Sequence, residues 1–184
     1  RDFSAGMAEV IKCGFIKDAK ILEIVASRDV ASLRPDQQTV VDLIYRAAKV
    51  KAEVVSGDFK ETFAREILNY GHTLGHAVEI HSKFSLRHGE AVAIGLVYAA
   101  ELAAARSMIS EEIVALHRSV LANLGLPTTY DRDAWPALHP ILALDKKSRG
   151  STIRFVALNG IGSTARLEDL TSDELDAAYE RICS

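Results

Sequence analysis

Apolar residues recur along most of this chain at intervals of three and four, the period of helices that bury one face. The first such run covers residues 4–16, with Ser4 placed to cap it and Met7, Val10, Ile11 and Phe15 on one side. A short helix over about 19–27 follows. Pro35 and Asp36 open a long helix to about 55, in which Val40, Ile44, Ala47, Val54 and Val55 form an apolar stripe that also contains Lys51. Another helix spans about 64–81. Residues 89–106 are apolar nearly all round and predict a central buried helix. Ser110, Glu111 and Glu112 start the next, which stops at Gly125 and Pro127, and a weaker helical pattern covers about 133–144. After Gly150 the period changes. Residues 152–158 and 163–168 read as short strands around an Asn159–Gly160 turn, and Thr171 with Glu174 forms a capping box for a last helix to about 182. The pattern predicts a mainly α chain, one helical domain over residues 1–184, with a small β-hairpin near its C-terminus.

Composition narrows the function classes. Apolar residues make up 48% and charged residues 26%, as in ordinary globular proteins, and a net charge of −3 offers no electrostatic case for nucleic acid or an anionic membrane. The most apolar stretch, 91–105, is too short to span a bilayer and contains Glu101. Cys13 and Cys183 lie at opposite ends without CxxC spacing, which argues against a disulfide framework and a thiolate zinc site and makes the cytoplasm the expected location. The chain opens on Arg1, inside a helical pattern, and reads as a fragment. There is no GxGxxG turn or Walker loop, so any nucleotide is expected to be held mainly outside these residues.

Chemistry concentrates between Lys51 and Glu90. On a continuous helix, Glu61, Arg65, Asn69, His72, His76 and Glu79 fall in one stripe, with Ile67, Leu68, Leu74 and Val78 off it. A plain solvated face would be rich in Lys and Glu; this one aligns two imidazoles, a guanidinium and an amide. Gly71 and Gly75 beside His72 admit close approach by a ligand or a neighbouring backbone. Histidines at i and i+4 can share a metal, so spacing alone pairs His72 with His76, and His88 is a close second. His81, His117 and His139 lack such company and read as surface or packing residues. Lys51 in its apolar stripe either snorkels or aims at an anionic ligand. Glu9 and Lys12, three apart, read by themselves as a surface salt pair. Asp145, Lys146 and Lys147, ahead of Gly150, form either a solvated basic turn or a phosphate clamp. Such an inventory suits a polyhydroxylated, phosphorylated anion held by a divalent metal.

Several segments resemble the 3-dehydroquinate synthases in order and spacing: Ala8-Glu9-Val10-Ile11-Lys12, Lys51-Ala52-Glu53-Val54-Val55, Arg65, Leu68-Asn69-Tyr70-Gly71-His72-Thr73-Leu74-Gly75-His76-Ala77, His88-Gly89-Glu90 and Asp145-Lys146-Lys147. The resemblance runs from about Asp2 to the last helix. It implies the C-terminal half of an enzyme whose Rossmann-like N-terminal half binds NAD+. It also implies Zn2+ (or Co2+) on Glu9, His72 and His88, which moves the second imidazole from His76 to His88. His76 would then contact substrate and handle protons. Lys12, Lys51, Arg65, Asn69 and Lys146 (or Lys147) would bind substrate, with Glu61 as a water-linked or proton-relay partner. The implied reaction converts 3-deoxy-D-arabino-heptulosonate 7-phosphate to 3-dehydroquinate and phosphate, using NAD+ catalytically with no net redox, in a soluble homodimer. One departure is visible. Asp58-Phe59-Lys60-Glu61, followed by Phe63 where the family favours a small residue, predicts a local packing difference that leaves Glu61 in place.

Overall fold

The computed structural model describes residues 1–27, 33, 37–57, 63–149 and 153–184, apart from the side chains of residues 57, 63, 64 and 143–149. Its helices are α1 (Asp2–Ile16), α2 (Lys20–Ala26), α3 (Gln38–Gly57), α4 (Phe63–Glu66), α5 (His72–His81), α6 (His88–Ala105), α7 (Glu111–Asn123), α8 (Trp135–Arg149) and α9 (Ser172–Glu180). Strands β1 (Phe155–Leu158) and β2 (Thr164–Leu167) form an antiparallel pair between α8 and α9. The mainly α architecture with a C-terminal hairpin is therefore the one the periodicity predicts.

The all-round apolar run becomes α6, buried from Ala91 to Ala103, and α1, α5, α7, α9 and β1 pack around it. Each large aliphatic side chain it withdraws from water, such as Ile94 or Leu96, contributes about 1.5–3 kcal/mol. Of its two acidic residues, Glu90 lies in the first turn, while Glu101 is 4% exposed and meets Arg118 at 2.7 Å and Arg181 at 3.4 Å. Among the described residues no helix is long and apolar enough to cross a membrane.

Three expectations need correcting. The first helix starts at Asp2, so Ser4 lies within it instead of capping it. On α3 the buried stripe is Val40, Leu43, Ala47, Val50 and Val54, while Ile44 and Val55 are 52% and 45% exposed. Lys51 therefore lies on the exposed flank of α3, and the proposed start at Pro35 and Asp36 falls outside the described residues. The expected helix over 64–81 is two pieces. After α4 the chain makes a 3-10 turn (Ile67–Asn69), and Gly71 adopts φ +79°, which no residue in a right-handed helix can hold. Tyr70 anchors the break: it is fully buried, and its hydroxyl lies 2.9 Å from His117 Nε2.

Close backbone approach explains how the elements meet. A Cβ on Gly95 would sit 1.9 Å from the Gly71 carbonyl oxygen, and one on Gly89 would sit 1.8 Å from that of Ala5. Glycine thus lets α6 touch the start of α5 on one side and α1 on the other. The hairpin contributes too, since the Gly162 amide in its 159–163 loop donates to the Phe15 carbonyl at 2.8 Å.

Candidate metal and substrate site

α1, α3, α5 and α6 converge on Glu9. Its Oε1 lies 3.5 Å from His72 Nε2 and 3.9 Å from His88 Nε2, and all three donor atoms fall within 4.8 Å of one another. These separations exceed the 2.7–3.2 Å of a hydrogen bond. They approach the edge of about 3.3 Å that a tetrahedral zinc ion with bonds of about 2.0–2.1 Å imposes on its ligands. One carboxylate, two imidazoles and room for a further ligand make a donor set that fits a catalytic divalent ion. His72 is the first residue of α5 and His88 the first of α6, so the Gly71 break and the turn at 82–87 place them.

Burial and neighbouring charge together keep Glu9 and His72 deprotonated. Burial by itself would raise the Glu9 carboxyl, but the Lys12 charge and the hydrogen bonds from Lys51 and Lys12 outweigh it and hold it at about 2. Lys51 Nζ donates to Oε2 at 2.9 Å, and Lys12 Nζ donates to the two oxygens at 2.9 and 3.1 Å. Burial lowers His72 to about 4, with the Lys12 charge acting in the same direction. At neutral pH the site therefore presents a carboxylate and a neutral His72, the forms that bind metals. Burial also lowers the Lys12 ammonium, and the Glu9 carboxylate partly restores it.

Both imidazoles face the cluster with Nε2, and each Nδ1 has a partner of its own. His72 Nδ1 lies 3.1 Å from the Tyr70 carbonyl oxygen, and His88 Nδ1 lies 3.1 Å from Glu79 Oε1. Tyr70 in turn rests on His117, which stacks on Phe15 with ring centroids 3.5 Å apart.

The remaining candidates lie at different distances from this centre. His76 is exposed, and its ring centroid is 5.4 Å from that of His72 and 6.2 Å from that of His88, at the rim. Arg65 on α4 and Asn69 in the 3-10 turn sit across the Tyr70–Gly71 break from His72, so the single stripe drawn through all of them does not exist as one helix face. Lys51 borders an open groove of about 370 Å³ between α1 and α3, whose walls include Phe3, Met7, Val10 and Ala47. Lys12 is 2% exposed and ends on Glu9, a hold on the carboxylate that the three-residue spacing does not reveal. Glu61 lies outside the described residues. Residues 145–147 continue α8 as helix, not turn, and the Lys146 and Lys147 side chains are outside the described set.

Residues 6–148 match the family described as 3-dehydroquinate synthase C-terminal. The chain belongs to that family. It is 49% identical over 181 residues to the 3-dehydroquinate synthase of Thermobifida fusca, covering 98% of this chain and 49% of the relative. Against the Corynebacterium diphtheriae 3-dehydroquinate synthase it is 51% identical over 178 residues, covering 97% and 49%. The chain thus spans about half the length of the curated relatives it matches. In fold it is similar to the 2-epi-5-epi-valiolone synthase of Streptomyces hygroscopicus subsp. jinggangensis, solved with NAD+ and Zn2+, at a TM-score of 0.88 and 24% identity over 97% of this chain and 50% of that one. A 2-deoxy-scyllo-inosose synthase complexed with carbaglucose-6-phosphate, NAD+ and Co2+ gives a TM-score of 0.77, also at 24% identity, over 97% and 51%.

Glu79 is the residue that sequence reasoning placed in the stripe without giving it a task. Its signal was available: a carboxylate on the histidine-bearing face, seven residues after His72.

Proposed function

We propose that this chain is the metal- and substrate-binding half of a 3-dehydroquinate synthase, which converts 3-deoxy-D-arabino-heptulosonate 7-phosphate to 3-dehydroquinate and phosphate. The observation that carries this reading is the single oxygen of Glu9 facing the Nε2 atoms of both His72 and His88. Near-50% identity to enzymes of that name over nearly the whole chain supplies the reaction. Glu9, His72 and His88 would hold Zn2+ or Co2+, which when bound supplies Lewis-acid polarisation of substrate hydroxyls. NAD+ would be held mainly by a nucleotide-binding half outside these residues, where it would accept and return hydride.

The chain's own residues have separable tasks. Lys12 and Lys51 keep Glu9 ionised, and Lys51, half exposed beside the groove, is also free to turn toward an anionic group of the substrate. Arg65, Asn69 and Lys146 would grip the carboxylate, hydroxyl and phosphate groups, fixing one orientation for successive steps. His76, exposed at the rim, would move a proton at a substrate oxygen, with Glu61 as its relay partner. The complete enzyme is expected to be a cytoplasmic homodimer.

Isothermal titration with zinc tests the metal site. The unsubstituted chain should bind one equivalent, and the triple variant Glu9→Ala, His72→Ala, His88→Ala should not; indistinguishable traces overturn the assignment. The likeness in fold to other sugar-phosphate cyclases motivates a second reading, in which the complete enzyme cyclises a sugar phosphate that lacks a carboxylate. Product analysis separates the two, and cyclisation of sedoheptulose 7-phosphate would sink the first.

A further inference from the structure

Glu79 occupies a position that the metal-site reading leaves unexplained. It lies in the last turn of α5, with its side chain 15% exposed, and its Oε1 is 3.1 Å from Nδ1 of His88. His88 is itself 46% exposed and stands at the first position of α6. The same residue organises the turn that brings His88 back to α5. The Glu79 carbonyl accepts from the Phe84 amide at 2.9 Å and from the Ser82 hydroxyl at 3.1 Å, across a turn in which Lys83 and Phe84 hold φ of 51° and 59°. His72 needs no such partner, because the Tyr70 carbonyl occupies its Nδ1 from within a buried segment.

We infer that Glu79 is a positioning residue that keeps the proton of His88 on Nδ1, leaving the Nε2 lone pair aimed at the ion between Glu9 and His72. The inference rests on the metal site proposed above and adds a residue to it. An isolated neutral imidazole is free to carry its proton on either nitrogen and to rotate about χ2, and only one tautomer in one orientation can serve as a ligand here. A carboxylate accepting from Nδ1–H selects that state and makes Nε2 a stronger donor, and removing such a partner typically lowers metal affinity by ~10–100-fold.

The test uses Glu79→Ala and Glu79→Gln in the 184-residue chain, alone and combined with His88→Ala, with zinc affinity read by competition against a chelator. Glu79→Ala should weaken zinc by ~10–100-fold, and Glu79→Gln, whose amide oxygen still accepts from Nδ1–H, should recover part of the loss. In the His88→Ala background, Glu79→Ala should cost nothing further. A purely structural role would give equal losses with and without His88. Long-range 1H–15N spectra of the metal-free chain give a readout independent of affinity: His88 should be protonated at Nδ1 in the unsubstituted chain and shift toward Nε2–H in Glu79→Ala. Unchanged affinity and tautomer in Glu79→Ala, or an equal loss in both backgrounds, overturns the inference while leaving the metal site standing. Failure of the unsubstituted chain to bind zinc overturns the metal site, and this inference with it.

Discussion

Lys12 carries its ammonium to a place where only 2% of the side chain meets solvent, and the carboxylate of Glu9 is the anion that holds it there. Removing one member of such a pair is not symmetrical with removing the other. Glu9→Ala leaves a buried cation without its counter-charge and should cost ~3–5 kcal/mol in urea unfolding, whereas Lys12→Met leaves a carboxylate that is 24% exposed and still bound by Lys51, and should cost less. Lys12→Met is also expected to weaken substrate binding, so a small loss of stability with a clearly higher KM in the complete enzyme is the signature of a charge kept for function. His117 gives a second prediction at this scale. Fully buried, its Nδ1 donating to the Ile113 carbonyl at 2.7 Å, it is lowered by burial to about 4. The unfolded state, with its histidine near 6.5, binds the proton first, so this stability is fully present above about 6.5 and is lost as pH falls toward 4. Between pH 7.5 and 4.5 the metal-free chain should lose ~2–3 kcal/mol through His117. His72, also lowered to about 4, shares that window, so the readout is the difference in pH dependence between the unsubstituted chain and His117→Gln. Equal slopes would refute the assignment.

At the scale of elements, the site depends on how closely α6 approaches its neighbours. Gly95→Ala would place a methyl 1.9 Å from the Gly71 carbonyl oxygen, so α5 and α6 must separate, carrying His72 and His88 apart. We expect destabilisation of ~3 kcal/mol or more, with weakened zinc binding in whatever remains folded. Gly6→Ala is the contrasting case. A Cβ there meets nothing within 4 Å, and the substitution should raise stability by ~0.5–1 kcal/mol through helix propensity, visible as a higher Tm. These two glycines also show what the chain's pattern could and could not convey. Periodicity located the helices because burying one face is a local constraint, and α6 was legible from its apolar run. The break at Gly71 was not, because polar residues keep a helical spacing straight through it and nothing local signals that Tyr70 will be drawn down onto His117. Likewise His72 and His76 are a pair only along one helix. The partnership of His72 with Glu9 and His88 joins three elements, and spacing within one element carries no information about it. Glu9 and Lys12 read as a surface pair for the same reason: their burial is made by α6 and α3, which lie far along the chain.

Considered as a whole molecule, the chain brings together the three ligands of the proposed ion and, on that reading, only part of what the reaction would need. Glu9, His72 and His88 come from α1, α5 and α6, and α1 and α5 both pack on α6, so the ion's site should survive in the 184 residues alone. The chain contains no GxGxxG turn or Walker loop, and it spans about half the length of its curated relatives. In the proposed reaction, hydride would leave and return at a substrate held on this half, next to a nicotinamide held elsewhere. Metal binding and turnover should therefore come apart. Zinc should titrate into the isolated chain, while NAD+ and 3-deoxy-D-arabino-heptulosonate 7-phosphate added to it should yield no phosphate above the uncatalysed rate. Phosphate release should appear when a nucleotide-binding half is supplied, and Glu79→Ala should then reduce it in parallel with zinc affinity. Turnover by the isolated chain would mean that the elimination does not depend on hydride transfer to a second domain, and the division of labour proposed here would have to be abandoned.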